Sequence, residues 1–182
     1  KIQEYISNIP HNFEPHGDSC MSVREVLRIN RALCMEGALV AALAFWVHGE
    51  RPLILDLSAE HDDDHVVTLY KRDGLWGACS KSNHPYVRFR DPIYRTVREL
   101  VMSYVHEYYN AKGEKTLRSY GVPLSLIRFK HSEWITGTDA WPVAQALCLV
   151  PHFSLMSKKQ AEHLRPIDPI EHKLFAIRSF KK

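Results

Sequence analysis

The sequence predicts an α+β protein, because a helical pattern of apolar residues precedes a set of short strand patterns. From Leu33 onward, apolar residues recur at helical spacing, and Gly49 supplies the flexible residue that commonly ends a helix. Three runs with strand-type composition follow, at positions 52–57, 65–71 and 75–80. The Arg72-Asp73-Gly74 sequence between the last two runs is typical of a hairpin turn, so these strands should be antiparallel.

Length and composition predict a single domain. The 182 residues can bury a core without disulfide bonds, and 45% hydrophobic with 25% charged residues is typical of a globular protein. No repeat or low-complexity linker divides the chain. We expect one domain over 1–182, with an irregular lead-in at 1–21, a core at 22–83 and a helical extension at 84–182.

Local signals predict where several helices begin. Ser22 followed by Glu25 is a capping-box pattern, so a helix should begin there. Asp91-Pro92 supplies an N-cap and a first-turn proline for a helix that should end near Asn110. A further strand is predicted near 121–129, and short helices at 142–149, 158–164 and 169–177.

Composition argues against two classes of partner. A net charge of +3 is too small to indicate nucleic-acid binding, and the longest apolar run, 37–47, is too short to span a membrane. Arginines alternate with aromatic residues at 88–98, but their acidic neighbours favour a salt-bridged helix surface. We therefore expect no membrane and no nucleic-acid partner, and the oligomeric state stays open.

Cysteine spacing and an acidic run bear on location and metals. The four cysteines (Cys20, Cys34, Cys79 and Cys148) show no CxxC spacing, which predicts neither a zinc ribbon nor a disulfide framework and favours a reducing, cytoplasmic location. The run 61–65 is His-Asp-Asp-Asp-His, but consecutive turn residues rarely converge on one ion. It favours an acidic surface, or a cover over a site that prefers cationic substrates. We expect no metal and no cofactor.

Cys34 and His65 form the candidate catalytic pair. Cys34 lies at the start of the Ala-rich helical run, and a helix start favours the thiolate form of cysteine. His65 begins a strand pattern about thirty residues later, and an imidazole within reach can take the proton of the thiol. The alternative interpretation of Cys34 is a buried structural thiol.

A catalytic histidine also needs a polar group that fixes its tautomer. Alternation along 75–80 places Ser80 on the inward face of its strand, and Asn83 follows three residues later. Either residue is a candidate to orient His65. Asn30 is a weaker candidate for an oxyanion donor, because it lies four residues before Cys34.

The order of these residues resembles the transglutaminase-like core of the papain-type cysteine enzymes. The resemblance rests on the Cys34 helix closed by a glycine, the strand after it, and the runs H-V-V-T-L-Y and G-L-W-G-A-C-S, within about 22–83. It implies a catalytic helix packed on an antiparallel sheet, with additional C-terminal helices. It also implies that Cys34 and His65 act on an amide or acyl bond of a peptide, protein or small amide.

One departure from the family pattern leaves two functions open. The family has an aspartate four residues after the tryptophan, whereas Trp76 is followed at that distance by the uncharged Ser80. The first function is a cysteine-dependent hydrolase or acyltransferase that forms a Cys34 thioester with His65 as general base. The alternative is a non-catalytic binding or scaffold protein that keeps the fold with a degenerate triad.

Overall fold

A seven-stranded antiparallel sheet organises the part of the chain that the structure describes, residues 1–15 and 17–181 of a computed structural model. The strands are β1 (Leu53–Ala59), β2 (His65–Arg72), β3 (Leu75–Ser80), β4 (Arg90–Tyr94), β5 (Leu117–Gly121), β6 (Leu124–Ser125) and β7 (His152–Ser154). Their order across the sheet is β4-β3-β2-β1-β5-β7, and β6 also pairs with β1.

Seven helices accompany the sheet in this part of the chain. They are α1 (Ile2–Asn8), α2 (Val23–Ile29), α3 (Cys34–Val47), α4 (Val97–Met102), α5 (Trp141–Cys148), α6 (Lys158–Glu162) and α7 (Pro169–Phe175). The predicted α+β class is therefore confirmed. None of the described helices is long and apolar enough to cross a bilayer.

Both faces of the sheet are covered by apolar side chains. One face carries Ile54, Val66 and Tyr70, which share a core with α1, α2, α3 and α5. The opposite face carries Leu55 and Leu69 among others, and packs against α4 and the turns that follow it. This double burial explains why the strand runs are apolar at nearly every position rather than at alternate positions.

The helix α3 is the element that carries Cys34, and it lies against β2. Its sequence is apolar on all sides, which is typical of a helix buried in the core. The buried Thr68 hydroxyl on β2 donates a hydrogen bond of 2.6 Å to the backbone carbonyl of Ala38. Cys34 lies one helical turn before Ala38, and His65 lies three positions before Thr68, so both lie toward the same end of the α3–β2 pair, although alternation along β2 puts the His65 side chain on the face opposite Thr68.

The helix predicted from Asp91 to Asn110 is wrong at both ends, because α4 covers only Val97–Met102 and turns follow it. Arg90–Tyr94 forms β4, which pairs with β3 at the edge of the sheet, where the missing N–H of Pro92 is tolerated. The helix begins instead after Thr96, whose hydroxyl caps the backbone N–H of Glu99. The helical spacing of apolar residues predicted a longer helix because the turns after α4 keep their apolar side chains on the same core.

Two further expectations for the ends of the chain need correction. The lead-in at 1–21 contains α1, which buries Ile6 completely. The extension at 84–182 is not only helical, because it supplies four strands to the sheet, β4 to β7. Strands of two to five residues carry too little periodic signal to be recognised in sequence.

Candidate functional site

A cleft of about 610 Å³ opens beside the N-terminal end of α3. Cys34 and His65 both line this cleft. Its other walls come from segments distant in sequence, namely residues 11–14, the acidic turn 62–64, the segment 81–87 and the C-terminal residues Phe175 and Arg178. The fold thus brings the predicted nucleophile and base to one solvent-accessible space.

The first turn of α3 is held by a buried carboxylate. Leu33 occupies the N-cap position and has no hydroxyl or carboxylate to cap the helix. Glu36 takes over this role, because its carboxylate accepts hydrogen bonds from the backbone N–H of Leu33 at 2.7 Å and of Met21 at 2.9 Å. Glu36 is fully buried, so the position of Cys34 is fixed by a shielded charge-assisted network.

Burial raises the pKa of the Cys34 thiol above its usual value. The backbone N–H groups of Val66 and Met35 lower this pKa and so partly oppose the effect of burial. The carboxylates of Glu36 and Asp56 raise the pKa further. At neutral pH the resting side chain is therefore a thiol, and a base is needed to turn it into a nucleophile.

His65 is held by a hydrogen-bond relay that ends at a backbone carbonyl. Its Nε2 lies 2.7 Å from the Ser80 hydroxyl, which itself lies 2.7 Å from the carbonyl oxygen of Val87. A carbonyl can only accept, so the serine hydroxyl donates to Val87 and must accept from His65. This assignment places the imidazole proton on Nε2 and leaves a lone pair on Nδ1.

His65 is neutral at pH 7. Burial, with a smaller contribution from the nearby His84, lowers the pKa of His65 to about 4. Because Ser80 carries no charge, it offers no electrostatic compensation for an imidazolium. Among the described residues, no hydrogen bond joins Cys34 to the His65 ring. The resting cleft therefore contains a neutral thiol and a neutral imidazole rather than an ion pair.

The prediction that Ser80 lies on the inward face with His65 agrees with the strand register. Val67 on β2 pairs with Ser80 on β3, so the two side chains at positions 65 and 80 lie diagonally on one face. The side chain of Gln3 on α1 holds the backbone of Ser80 from outside, accepting from its N–H at 2.9 Å and donating to its carbonyl at 2.8 Å. Sequence analysis missed Gln3, because nothing local marks it.

Asn83 has a different role from the one considered in sequence. Its side-chain amide donates to the carbonyl of Phe180 at 3.1 Å and accepts from the Phe180 N–H at 2.8 Å. It lines the cleft, but it holds the C-terminal segment rather than His65. Asn30 is an exposed residue in left-handed conformation that ends α2, and it does not line the cleft.

A buried lysine lies next to the site. Lys81 is 2% exposed, lines the cleft and donates to the backbone carbonyl of Ile9. Burial lowers the pKa of Lys81 to about 8. A Cβ added at Gly37 would lie only 2.6 Å from the Cβ of Lys81, so the glycine in the first turn of α3 admits this side chain. No sequence pattern indicated this contact.

The acidic turn forms one wall of the cleft. Asp62, Asp63 and Asp64 all line it, and Asp62 and Asp64 are anchored by hydrogen bonds to Thr116 and to the backbone of Ala59. Within residues 1–15 and 17–181, no group of three or more histidine, cysteine or acidic side chains is arranged to hold a metal ion. The wall is therefore a local concentration of negative charge.

Comparison with known proteins assigns the chain to no family. No protein-family model matches the chain, and no curated protein matches it.

Proposed function

We propose that this protein is a cysteine-dependent enzyme that cleaves or transfers an acyl group at an amide bond, with the papain-like, transglutaminase-type arrangement that its sequence resembles. The observation that carries the proposal is the relay from His65 through Ser80 to Val87 in the cleft that also contains Cys34. The relay leaves Nδ1 of His65 without a proton, as a general base requires.

The chemistry follows from the neutral resting pair. Nδ1 of His65 takes the proton of Cys34 as Sγ attacks the carbonyl carbon of the substrate. The backbone N–H groups of the first turn of α3 stabilise the oxyanion. The protonated His65 then gives its proton to the leaving amine, which departs as the thioester forms. Water or a second amine resolves the thioester and regenerates the thiol.

The acidic wall gives this enzyme a preference for cationic substrates. Three neighbouring carboxylates on one side of a cleft attract positive charge and repel acidic peptides. All four cysteines are free, which fits a nucleophilic thiol in a reducing, cytoplasmic location.

The test is the pH dependence of alkylation at each cysteine by iodoacetamide, followed by mass spectrometry. Because the pKa of His65 is about 4, labelling of Cys34 should rise as pH increases through that region and then level off well below the thiol pKa. Cys148 is exposed and serves as the internal standard for an accessible thiol. Cys20 and Cys79, whose pKa values burial raises to about 12, should label slowly.

The control variant is His65→Gln, which keeps a polar side chain of similar length and removes the base. It should reduce labelling of Cys34 at pH 6 by about 10-fold or more and leave Cys148 unchanged. If Cys34 instead labels only at high pH, with no dependence on His65, the enzyme is rejected and the scaffold alternative is accepted. That alternative is favoured by one observation, the uncharged Ser80 in the relay.

A further inference from the structure

The C-terminal segment 175–180, which begins at the last residue of α7, lines the same cleft as Cys34. Phe175 and Arg178 are lining residues, although they are more than 140 positions from Cys34 in sequence. Lys81 places its ammonium group 5.2 Å from the centre of the Phe180 ring. The segment 175–180 therefore lies against the side of the cleft that Lys81 lines.

Asn83 contacts only the main-chain groups of this segment. Its side-chain amide pairs with both the N–H and the carbonyl of Phe180, and its own backbone carbonyl accepts from the N–H of Ser179 at 2.8 Å. An asparagine amide has one donor side and one acceptor side, as a peptide group does. Such pairing recognises any polypeptide backbone, whatever its sequence.

An aromatic pocket receives the side chain of Phe175. Its ring lies 5.3 Å from that of His84 and 6.5 Å from that of Tyr109, and Tyr86 lies 4.7 Å from each of these two rings. Aromatic rings at these separations attract one another beyond simple burial. This pocket, formed by His84, Tyr86 and Tyr109, is built for an aromatic side chain.

The segment and the helix before it bury little apolar surface. The helix α7 has no buried residue, and Ile170, Leu174 and Ile177 are between 43% and 71% exposed. An element with so little apolar burial opens at low free-energy cost, so another chain can replace it. On the cleft wall, Arg88 donates hydrogen bonds to the carbonyls of His84 and Ser82 and also to the hydroxyl of Ser179 in the segment.

We infer that Asn83 and the pocket of His84, Tyr86 and Tyr109 form a binding site for a polypeptide with an aromatic side chain, and that residues 175–180 occupy this site in the free protein. The inference deepens the proposed function, since it names polypeptides as the class of substrate and rests on that function for the reaction. Binding of a substrate then requires displacement of the chain's own segment.

The test measures binding of a fluorescein-labelled peptide with the sequence of residues 173–181, by fluorescence anisotropy. The full chain carries Cys34→Ala, so that no reaction can take place. In the released variant, Ser179→Pro and Phe180→Pro remove the two N–H groups that Asn83 binds. The matched variant, Ser179→Ala and Phe180→Ala, loses the same side chains but keeps both N–H groups.

The peptide should bind the released variant at least about 10-fold more tightly than the matched variant, because the competing segment is gone. Adding Asn83→Ala to the released variant should remove this gain, and a peptide with alanine in place of its first phenylalanine should bind more weakly. Equal affinity for all three proteins, or no binding to the released variant, overturns the inference.

The two proposals fail separately. Tight peptide binding together with an inert Cys34 retains this site and rejects the enzyme. A reactive Cys34 with no peptide binding retains the enzyme and rejects this site alone.

Discussion

Two histidines, at the starts of two different strands, contact polar side chains in contrasting ways. His65 begins β2, and its Nε2 contacts the uncharged Ser80. His152 begins β7, and its Nε2 lies 2.9 Å from the carboxylate of Asp56. By residue type alone, His152 has the partner expected of a catalytic dyad.

The surroundings reverse that ranking. Nδ1 of His152 lies 2.9 Å from the carbonyl of Val150, so both ring nitrogens are engaged, and His152 does not line the cleft. His65 lines the cleft and has a hydrogen bond only at Nε2 among the described residues. The comparison teaches that a place in the cleft and an unprotonated ring nitrogen, rather than the charge of the partner group, distinguish His65 as the proposed base.

The largest expected effect separates the two histidines by activity. His65→Ala should lower the rate of acetylation of Cys34 by p-nitrophenyl acetate by about 10²- to 10⁴-fold, the usual contribution of a general base. His152→Ala should change it by less than about 3-fold, because that ring does not line the cleft. Release of p-nitrophenolate, with mass spectrometry of the Cys34 peptide, measures both. Equal losses in the two variants would contradict the assignment of the base.

The second effect concerns pH and stability. Folded protein keeps His65 neutral down to a pKa of about 4, whereas an unfolded chain protonates it near its ordinary pKa of 6.5, so unfolding takes up a proton between these values. The free energy of unfolding should therefore fall as pH decreases from 6.5 to 4, by roughly 3 kcal/mol at most from this one group. Urea denaturation of the wild type and of His65→Gln at several pH values measures this effect. The free energy of unfolding should fall more steeply with decreasing pH in the wild type.

Asp56 should have the opposite effect on how the free energy of unfolding changes with pH. Burial raises the pKa of Asp56, so the folded protein takes up a proton at higher pH than the unfolded chain does. Its contribution to the free energy of unfolding consequently increases as pH falls, and Asp56→Asn should make the acid loss of stability steeper. A shallower loss in Asp56→Asn would show that its carboxylate is stabilised by His152 more than it is penalised by burial.

The smallest expected effect compares two serines beside the two histidines. Ser80→Ala leaves the Nε2 proton of His65 and the carbonyl of Val87 without a partner in a buried place, which should cost about 1–3 kcal/mol of unfolding free energy. Ser154 also donates to a carbonyl, that of Met156, but it is exposed on β7. Ser154→Ala should change stability by no more than about 0.5 kcal/mol. Similar losses for both would mean that water replaces Ser80 in the relay.

Much of the central fold could be predicted from sequence because its signals are local. The helix with Cys34 at its start, the turn at Asp73-Gly74 and the strand ending at Ser80 were all predicted within a residue or two. Each depends on residues close in the chain, such as a glycine in left-handed conformation or a run of apolar residues. The strand β4 and the helix α1 were not recognised, because short elements are stabilised by partners far away in sequence.

The sequence by itself determined the chemistry that is present at the candidate site: Cys34 at a helix start, His65 at a strand start, and Ser80 on the face that His65 shares. Only the tertiary structure decided how these groups behave, because burial, not residue type, raises the pKa of Cys34 and lowers that of His65. It also placed Asn83 against the C-terminal segment rather than against His65. Asn83 and Phe180 are 97 positions apart, so no periodic pattern in the sequence predicts their contact.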